Sequence, residues 1–319
     1  MKKTIIFLLC ILCLTGCTKK EAEMQGFSMD APYRISANEL TKEQEHSIKT
    51  MLKDADSCFD AYQESSTLSQ LNHHKKITVS KDDGNAQMLY QIISASLPFC
   101  NQYFDITIRP ISKLWDFNAD KPVVPDNTVL KQNLRAVDWR NVILEDDFIY
   151  LENEAEIDLG AVAKGYICDK IADYLTQEVA IVDIGGTVKA VGEDITAGIK
   201  SPTLDGLLCS FTLPAGKAVA TSGSYERNFT VDNQTYHHII NPKTGYPFDS
   251  EFVSVSVICD SAMEADILAT TWFCDENQDY NKNVEAIFVT KDNKIIVTDG
   301  IKNFNLLHTD YTISNEKVE

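Results

Sequence analysis

Apolar positions along this chain repeat with two periods, one near 3.6 residues and one near 2, and their mixture predicts an α+β fold. Between residues 41 and 59, Ile48, Met51, Leu52, Ala55 and Phe59 share one helical face, and Thr41 with Gln44 forms a capping-box pattern at its start. A second helix is expected from Ala86 to about Leu97, where Pro98 ends it. A third follows Pro125-Asp126, with Val129, Leu130 and Leu134 inward. Ile167, Ile171 and Leu175 recur at i, i+4 and i+8 in a helix starting near Ala161, and Ser261 with Glu264 caps another. Residues 142–144 and 148–150 flank an acidic turn as a hairpin. Residues 179–184 read as a buried strand ending in Gly185-Gly186, and residues 252–258 alternate apolar with small polar side chains. Residues 285–290 and 294–298 flank Lys291-Asp292-Asn293 as a further hairpin. Strands and helices are interspersed without a regular βαβ series, so a mostly antiparallel sheet with packed helices is expected. No linker divides the chain after residue 27.

The first residues change the picture at one end. Lys2 and Lys3 precede a short apolar run and the ending Leu14-Thr15-Gly16-Cys17, which is similar to a bacterial lipoprotein signal. The expected organisation is a signal peptide over 1–16, a lipidated Cys17 with a polar tether over 17–26, and one domain over 27–319. The protein would then sit lipid-anchored at the bacterial membrane, on its extracytoplasmic side. Composition is otherwise ordinary: 44% hydrophobic and 24% charged over 319 residues. With 29 basic against 47 acidic residues and a net charge of −18, nucleic-acid binding is excluded as a working reading. An anionic ligand would need local help from a helix N-terminus, a placed Lys or a divalent cation. Six cysteines lie beyond the leader with no Cys-x-x-Cys pair, which argues against zinc and for small core side chains.

Three stretches carry candidate chemistry. In Asp158-Leu159-Gly160-Ala161-Val162-Ala163-Lys164-Gly165 an acid, a base and two glycines fall at a strand-to-helix turn. Gly160 and Gly165 have the spacing of a P-loop, but Tyr166 and Ile167 follow, and the nucleoside triphosphate reading fails. Lys164 sits in the first helical turn, where a cation opposes the helix dipole, so pairing with Asp158 or with a ligand anion is expected. Asp266 and Thr270 lie four apart on one helical face and offer oxygen, the donor Mg²⁺ prefers. His237 and His238 precede the turn Asn241-Pro242-Lys243-Thr244-Gly245, and only one of two adjacent strand residues can face a given site. A histidine there could accept a proton from an attacking hydroxyl.

Taken with Ser28-Met29-Asp30-Ala31-Pro32-Tyr33, Ala61-Tyr62-Gln63-Glu64-Ser65, Tyr103-Phe104-Asp105, Asp183-Ile184-Gly185-Gly186 and Ser222-Gly223-Ser224-Tyr225-Glu226-Arg227, these stretches resemble the ApbE family of FAD:protein FMN transferases, in order along nearly the whole chain. The resemblance implies a single ApbE-like, T-fold-like α+β domain. It also implies transfer of FMN from FAD to a Thr or Ser of an extracytoplasmic acceptor protein, with AMP released and Mg²⁺ required. By motif, Met29, Tyr62, Tyr103, Phe104, Asp105, Asp158 and Lys164 would contact FAD. Asp266, Thr270 and the carbonyl of Ala161 would hold the metal, and His238 would take the proton. Asn241 and Ser224 stand where the family often has Asp, so a charge is missing at each position. FAD hydrolysis by the same site, and a lipoprotein that binds a solute without chemistry, remain as alternatives.

Overall fold

The structure, a computed structural model, describes residues 22–176, 178–203, 205–275 and 284–314. The expected signal peptide and the lipidated Cys17 lie outside the described residues. Along the chain, β1 (Ala22–Ser28) and β2 (Ala31–Ala37) form a hairpin. Helices α1 (Lys42–Phe59) and α2 (Thr67–His74), strand β3 (Lys76–Thr78) and helix α3 (Gly84–Ser96) follow. The short helices α4 (Arg109–Trp115) and α5 (Asn127–Asn133) lead to the hairpin β4 (Val142–Glu145) and β5 (Phe148–Leu151). Helix α6 (Ala163–Tyr174) precedes β6 (Ala180–Ile184), β7 (Thr187–Val191), β8 (Ile195–Lys200), β9 (Leu207–Leu213) and β10 (Ala218–Gly223). Then come β11 (Asn228–Val231), β12 (Gln234–His237), β13 (Phe252–Cys259), helix α7 (Ala262–Cys274), β14 (Glu285–Thr290), β15 (Lys294–Val297), β16 (Lys302–Leu306) and β17 (Thr312–Ile313).

One nine-stranded sheet, ordered β1-β2-β6-β7-β10-β13-β14-β15-β17, runs through the molecule. Its pairings are antiparallel except β15 with β17, as the mixed α+β reading expected. Helices α6 and α7 pack on one face against β6, β7, β10 and β13, and α1 lies over α6. The small sheet β16-β9-β8 covers the other face: Phe211, Leu208 and Ile199 meet Val219, Ile258, Ile287 and Val289. Val255, Val257 and Phe288 turn the opposite way, toward Trp272 and Phe273 of α7. Period-two alternation in β13 therefore separates two buried faces rather than core from water, and its small polar residues Ser254 and Ser256 are buried.

Helix boundaries follow the sequence closely. Thr41 and Gln44 make the reciprocal capping box of α1, and Ile167, Ile171 and Leu175 are buried as expected. Two expectations are corrected. Of the three residues expected inward at α5, Leu130 is buried and Leu134, just past the helix end, packs half-buried in the same cluster; Val129 is 38% exposed, because a helix of two turns has one line of contact. The polar stretch expected as a tether is structured from Ala22 onward. Residues 22–26 belong to edge strand β1, whose single covered face buries only Met24 and Ser28 along its length. No helix among the described residues is long and apolar enough to cross a membrane.

Candidate active site

The turn at 158–165 and helix α7, separated by a hundred residues of chain, form one unit. Gly165 N–H donates to Asp266 Oδ2 at 2.8 Å, so a side chain of α7 caps the first turn of α6. The favour is returned: Asp169 of α6 accepts from the backbone N–H groups of Ala262 and Met263 at 2.9 and 3.0 Å, and from Ser261 Oγ at 2.7 Å. Ser261 accepts from Glu264 N–H, but Asp169 satisfies the other donors that open α7. This mutual capping puts each carboxylate at a helix N-terminus, where the dipole favours a negative charge. Lys189 joins Asp169 at 2.6 Å. The crossing is close enough that a Cβ on Gly165 would stand 2.6 Å from Met263 Cα, so only glycine fits.

Asp266 is buried, 7% exposed, and accepts a second bond on Oδ1 from Thr187 Oγ1 at 2.7 Å. Burial raises its pKa, while the Lys164 ammonium, Thr187 and Gly165 N–H pull it back. Thr270 Oγ1 donates to the Asp266 carbonyl at 3.1 Å and lies 3.0 Å from Ser222 Oγ. In a regular helix Gly165 N–H would go to the Ala161 carbonyl. Here it goes to Asp266, and among the described residues nothing donates to that carbonyl. An acidic oxygen, a hydroxyl and a carbonyl without a helical bond are each hard donors, of the kind a hard cation prefers and a zinc site with thiolate or imidazole ligands does not. Among the described residues no three His, Cys, Asp or Glu side chains gather as a metal cluster.

Lys164 does not pair with Asp158. Its Nζ donates to the Gly160 carbonyl at 3.4 Å, and its stem lies across Gly185, whose positive φ of 61° turns the backbone aside. Asp158 accepts instead from Ser112 Oγ at 2.7 Å and from Gly160 N–H at 2.9 Å. Its neighbour Ile157 is clamped by Asn72, which bonds both backbone groups at 2.7 and 2.8 Å. Tyr62 stands near Asp158: burial and that carboxylate raise the phenol pKa. Arg109 lies 3.9 Å from the Tyr62 ring centre, leaving the ring half-exposed on a cavity of about 570 Å³ bordered by Asp30, Asp60, Asp116, Asn118 and Arg227. Met29 and Asp30 form the β1–β2 turn with φ of 52° and 54°, held by Asp56 through Met29 N–H at 2.6 Å.

The two histidines separate cleanly. His237 is buried, and both ring nitrogens are engaged: Nε2–H with the Phe248 carbonyl at 2.9 Å, Nδ1 with Ile239 N–H. His238 places Nδ1 3.3 Å from the Arg227 carbonyl. A carbonyl only accepts, so Nδ1 carries the proton and Nε2 keeps its lone pair. Desolvation, with Arg227 and His237 beside it, pushes the His238 pKa down to about 4, and Lys164 adds to the shift. The ring is therefore neutral near pH 7. Asn241 keeps the turn without a charge: Oδ1 accepts from Lys243 N–H at 2.8 Å, and Trp115 Nε1–H holds the Gly245 carbonyl at 2.7 Å. Ser224 pairs with β13 through Val253.

The third expected group is arranged differently. Tyr103 packs on Phe248, and Lys243 reaches Gln102 at 2.5 Å, so the 101–105 loop adjoins the histidine turn. Phe104 is buried in the main core. Asp105 spends both oxygens inside the protein, on the Thr107 backbone and hydroxyl and on Trp139 N–H, and burial raises its pKa. All six cysteines beyond the leader are buried and free. Asp169, Thr187, Asn72 and Asp56 were not visible in the sequence, since each acts on a partner far along the chain.

Comparisons with known proteins identify the family of this chain. A protein of Klebsiella pneumoniae (strain 342) named FAD:protein FMN transferase is 36% identical over 251 residues, covering 73% of this chain and 78% of its own. One of the same name from Treponema pallidum (strain Nichols) is 28% identical over 92% of each chain. The solved ApbE protein of Thermotoga maritima matches with a TM-score of 0.78 at 28% identity, over 88% of this chain and 97% of that one. A mutant of the flavin transferase ApbE from Vibrio cholerae matches with a TM-score of 0.72 at 25% identity, over 88% of this chain and 98% of that one. The ApbE family profile spans residues 29–288, and this chain belongs to the ApbE family.

Proposed function

We propose that the protein is a Mg²⁺-dependent FAD:protein FMN transferase. It would move FMN from FAD to a Thr or Ser hydroxyl of an extracytoplasmic acceptor protein and release AMP. The observation that carries this reading is the joining of the 158–165 turn to Asp266 through Gly165 N–H. The names of the relatives, all FAD:protein FMN transferase, support the same activity.

Asp266, Thr270 and the Ala161 carbonyl would hold Mg²⁺, which when bound neutralises charge on pyrophosphate oxygens. In a protein of net charge −18 that neutralisation is needed before two anions can meet. Lys164 adds a fixed positive charge at the same turn. Tyr62 offers its free face to a ring of FAD, with Arg109 holding the other face. Met29, Tyr103 and Asp158 would line the nucleotide, while Phe104 and Asp105 would act through the loop they hold together.

In the transfer step the acceptor hydroxyl gives its proton to His238 Nε2 as its oxygen bonds the FMN phosphorus. The bond from that phosphorus to the bridging oxygen breaks, and AMP leaves with the electron pair. Holding nucleophile and phosphorus in line is most of the work, since little else in phosphoryl transfer needs a protein group. We also propose export with a lipid anchor at Cys17, on the strength of the leader and its cysteine.

The test incubates the domain with FAD and Mg²⁺, with and without a Thr-bearing acceptor peptide. Transfer predicts AMP release and a peptide heavier by FMN only when acceptor is present. AMP without acceptor would make the protein an FAD pyrophosphatase, and no AMP under any condition would leave a solute-binding lipoprotein.

A further inference from the structure

We infer that Thr187 is a positioning residue for the metal-binding carboxylate of Asp266, a role that rests on the proposed Mg²⁺-dependent transfer. Thr187 opens β7 directly after the Gly185-Gly186 turn and is 2% exposed. Its hydroxyl meets Asp266 Oδ1 at 2.7 Å. The carboxylate can only accept, so the threonine proton points at it. The other oxygen is held by Gly165 N–H at 2.8 Å. Two donors from two separate elements, a strand and a helix, thus take one acceptor direction on each oxygen. Rotation of the carboxylate about Cβ–Cγ breaks one of these bonds, and both are buried. What remains on each oxygen is a second acceptor direction, and the Ala161 carbonyl, freed by the same Gly165 bond, lies one helical turn before it. Thr187 therefore sets the plane in which Asp266 presents its unused lone pairs.

A threonine that merely satisfies a buried acid would predict lost stability and nothing more. A positioning residue predicts weaker metal binding, since outer-shell partners of metal ligands cost about 10–100-fold in affinity when removed. Thr187→Val keeps the shape and deletes the donor. The half-saturating Mg²⁺ concentration for AMP release, measured with FAD and acceptor, is expected to rise about tenfold or more. The KM for FAD at saturating Mg²⁺ should stay unchanged. Binding of Mn²⁺ in the presence of FAD without acceptor, followed by electron paramagnetic resonance, should weaken in parallel, a readout independent of turnover. Thr187→Ser should restore both values. If Thr187→Val fails to fold, Thr187→Cys, a weak donor of similar size, carries the same comparison. Unchanged Mg²⁺ and Mn²⁺ dependence in Thr187→Val overturns the inference, as does equal loss in Thr187→Ser. Absence of Mg²⁺-dependent AMP release in the unaltered protein would instead overturn the transferase reading beneath it.

Discussion

The two sides of the candidate site are held by opposite means. On one side, α6 and α7 cap each other through Asp266 and Asp169, with Gly165 at the contact and every carboxylate oxygen engaged. On the other side, His238 follows the end of a two-stranded ribbon and is oriented by one carbonyl, that of Arg227. The first arrangement cannot lose a group without disturbing two helices. The second can lose its imidazole and keep its turn, because Asn241, Trp115 and the Gly245 carbonyl hold that turn independently. Substitutions on the helical side should therefore mix fold with function, and those on the histidine side should touch chemistry alone.

The largest effect is expected at Asp266. Asp266→Ala removes the carboxylate and leaves Gly165 N–H and Thr187 Oγ1 without a buried partner. Metal-dependent turnover should fall by about a thousandfold or more, equivalent to roughly 4 kcal/mol of barrier. The melting temperature should fall too, since an unpaired buried donor costs about 1–3 kcal/mol. Steady-state AMP release and a thermal melt on the same sample check both. Unchanged turnover would remove Asp266 from the metal assignment.

Gly165→Ala tests the helical side without touching a charge. The new methyl would press on the Ala262 and Met263 backbone, which belongs to a helix and has no room to give. A loss of about 3 kcal/mol in unfolding free energy is expected, at the upper end for overpacking. Urea denaturation measures it. A variant as stable as the parent would mean that the helices can part, and the mutual-capping account would fail with it.

His238→Ala should do the reverse. The catalysed step should slow by about a hundredfold, the lower end of what a positioned base contributes, with FAD affinity and stability little changed. Single-turnover transfer and a binding titration separate the two. A variant that loses FAD binding instead would assign His238 to structure, as the bonding of His237 already does for its neighbour.

The same contrast explains what was legible beforehand. Helix α1, its capping box and the inward face of α6 could be read from period and cap residues because their determinants lie within a few positions. Lys164 and the pair Asp266 and Thr270 drew attention by residue type and spacing, the full set of site residues came from the resemblance to the ApbE family, and the structure joins the 158–165 turn to Asp266. Asp169 and Thr187 could not be read beforehand, because an Asp in mid-helix and a Thr opening a strand have no local oddity; each acquires meaning from a partner about eighty or more residues away. Strands β7 to β11 were missed, and for β7, β9 and β10 the reason is related: no side chain in them is exposed, so no period-two contrast with water marks them. Edge strand β1 read as a tether because it buries only Met24 and Ser28, while Glu23, Gln25 and Gly26 are exposed and leave no run of apolar alternation.

The smallest expected effect lies in the pH profile, and it bears most directly on the histidine side. An ordinary histidine near 6.5 would be partly protonated at pH 6, and a base so protonated is silent. His238 is shifted to about 4 by desolvation and by Arg227, His237 and Lys164 around it. The acid limb of kcat/KM should therefore fall near pH 4, leaving the rate flat between pH 7 and 5.5. Folding carries the matching sign. The folded ring binds fewer protons than the unfolded one between 6.5 and about 4, so stability is full above 6.5 and declines as pH drops through that window. A limb near 6.5 would mean that water reaches the ring and that Arg227 does not face it. Replacing Arg227 with Gln should move the limb upward, because one cation is withdrawn while the carbonyl that orients Nδ1 stays in place; the size of that movement measures how much of the base's readiness comes from charge and how much from desolvation alone.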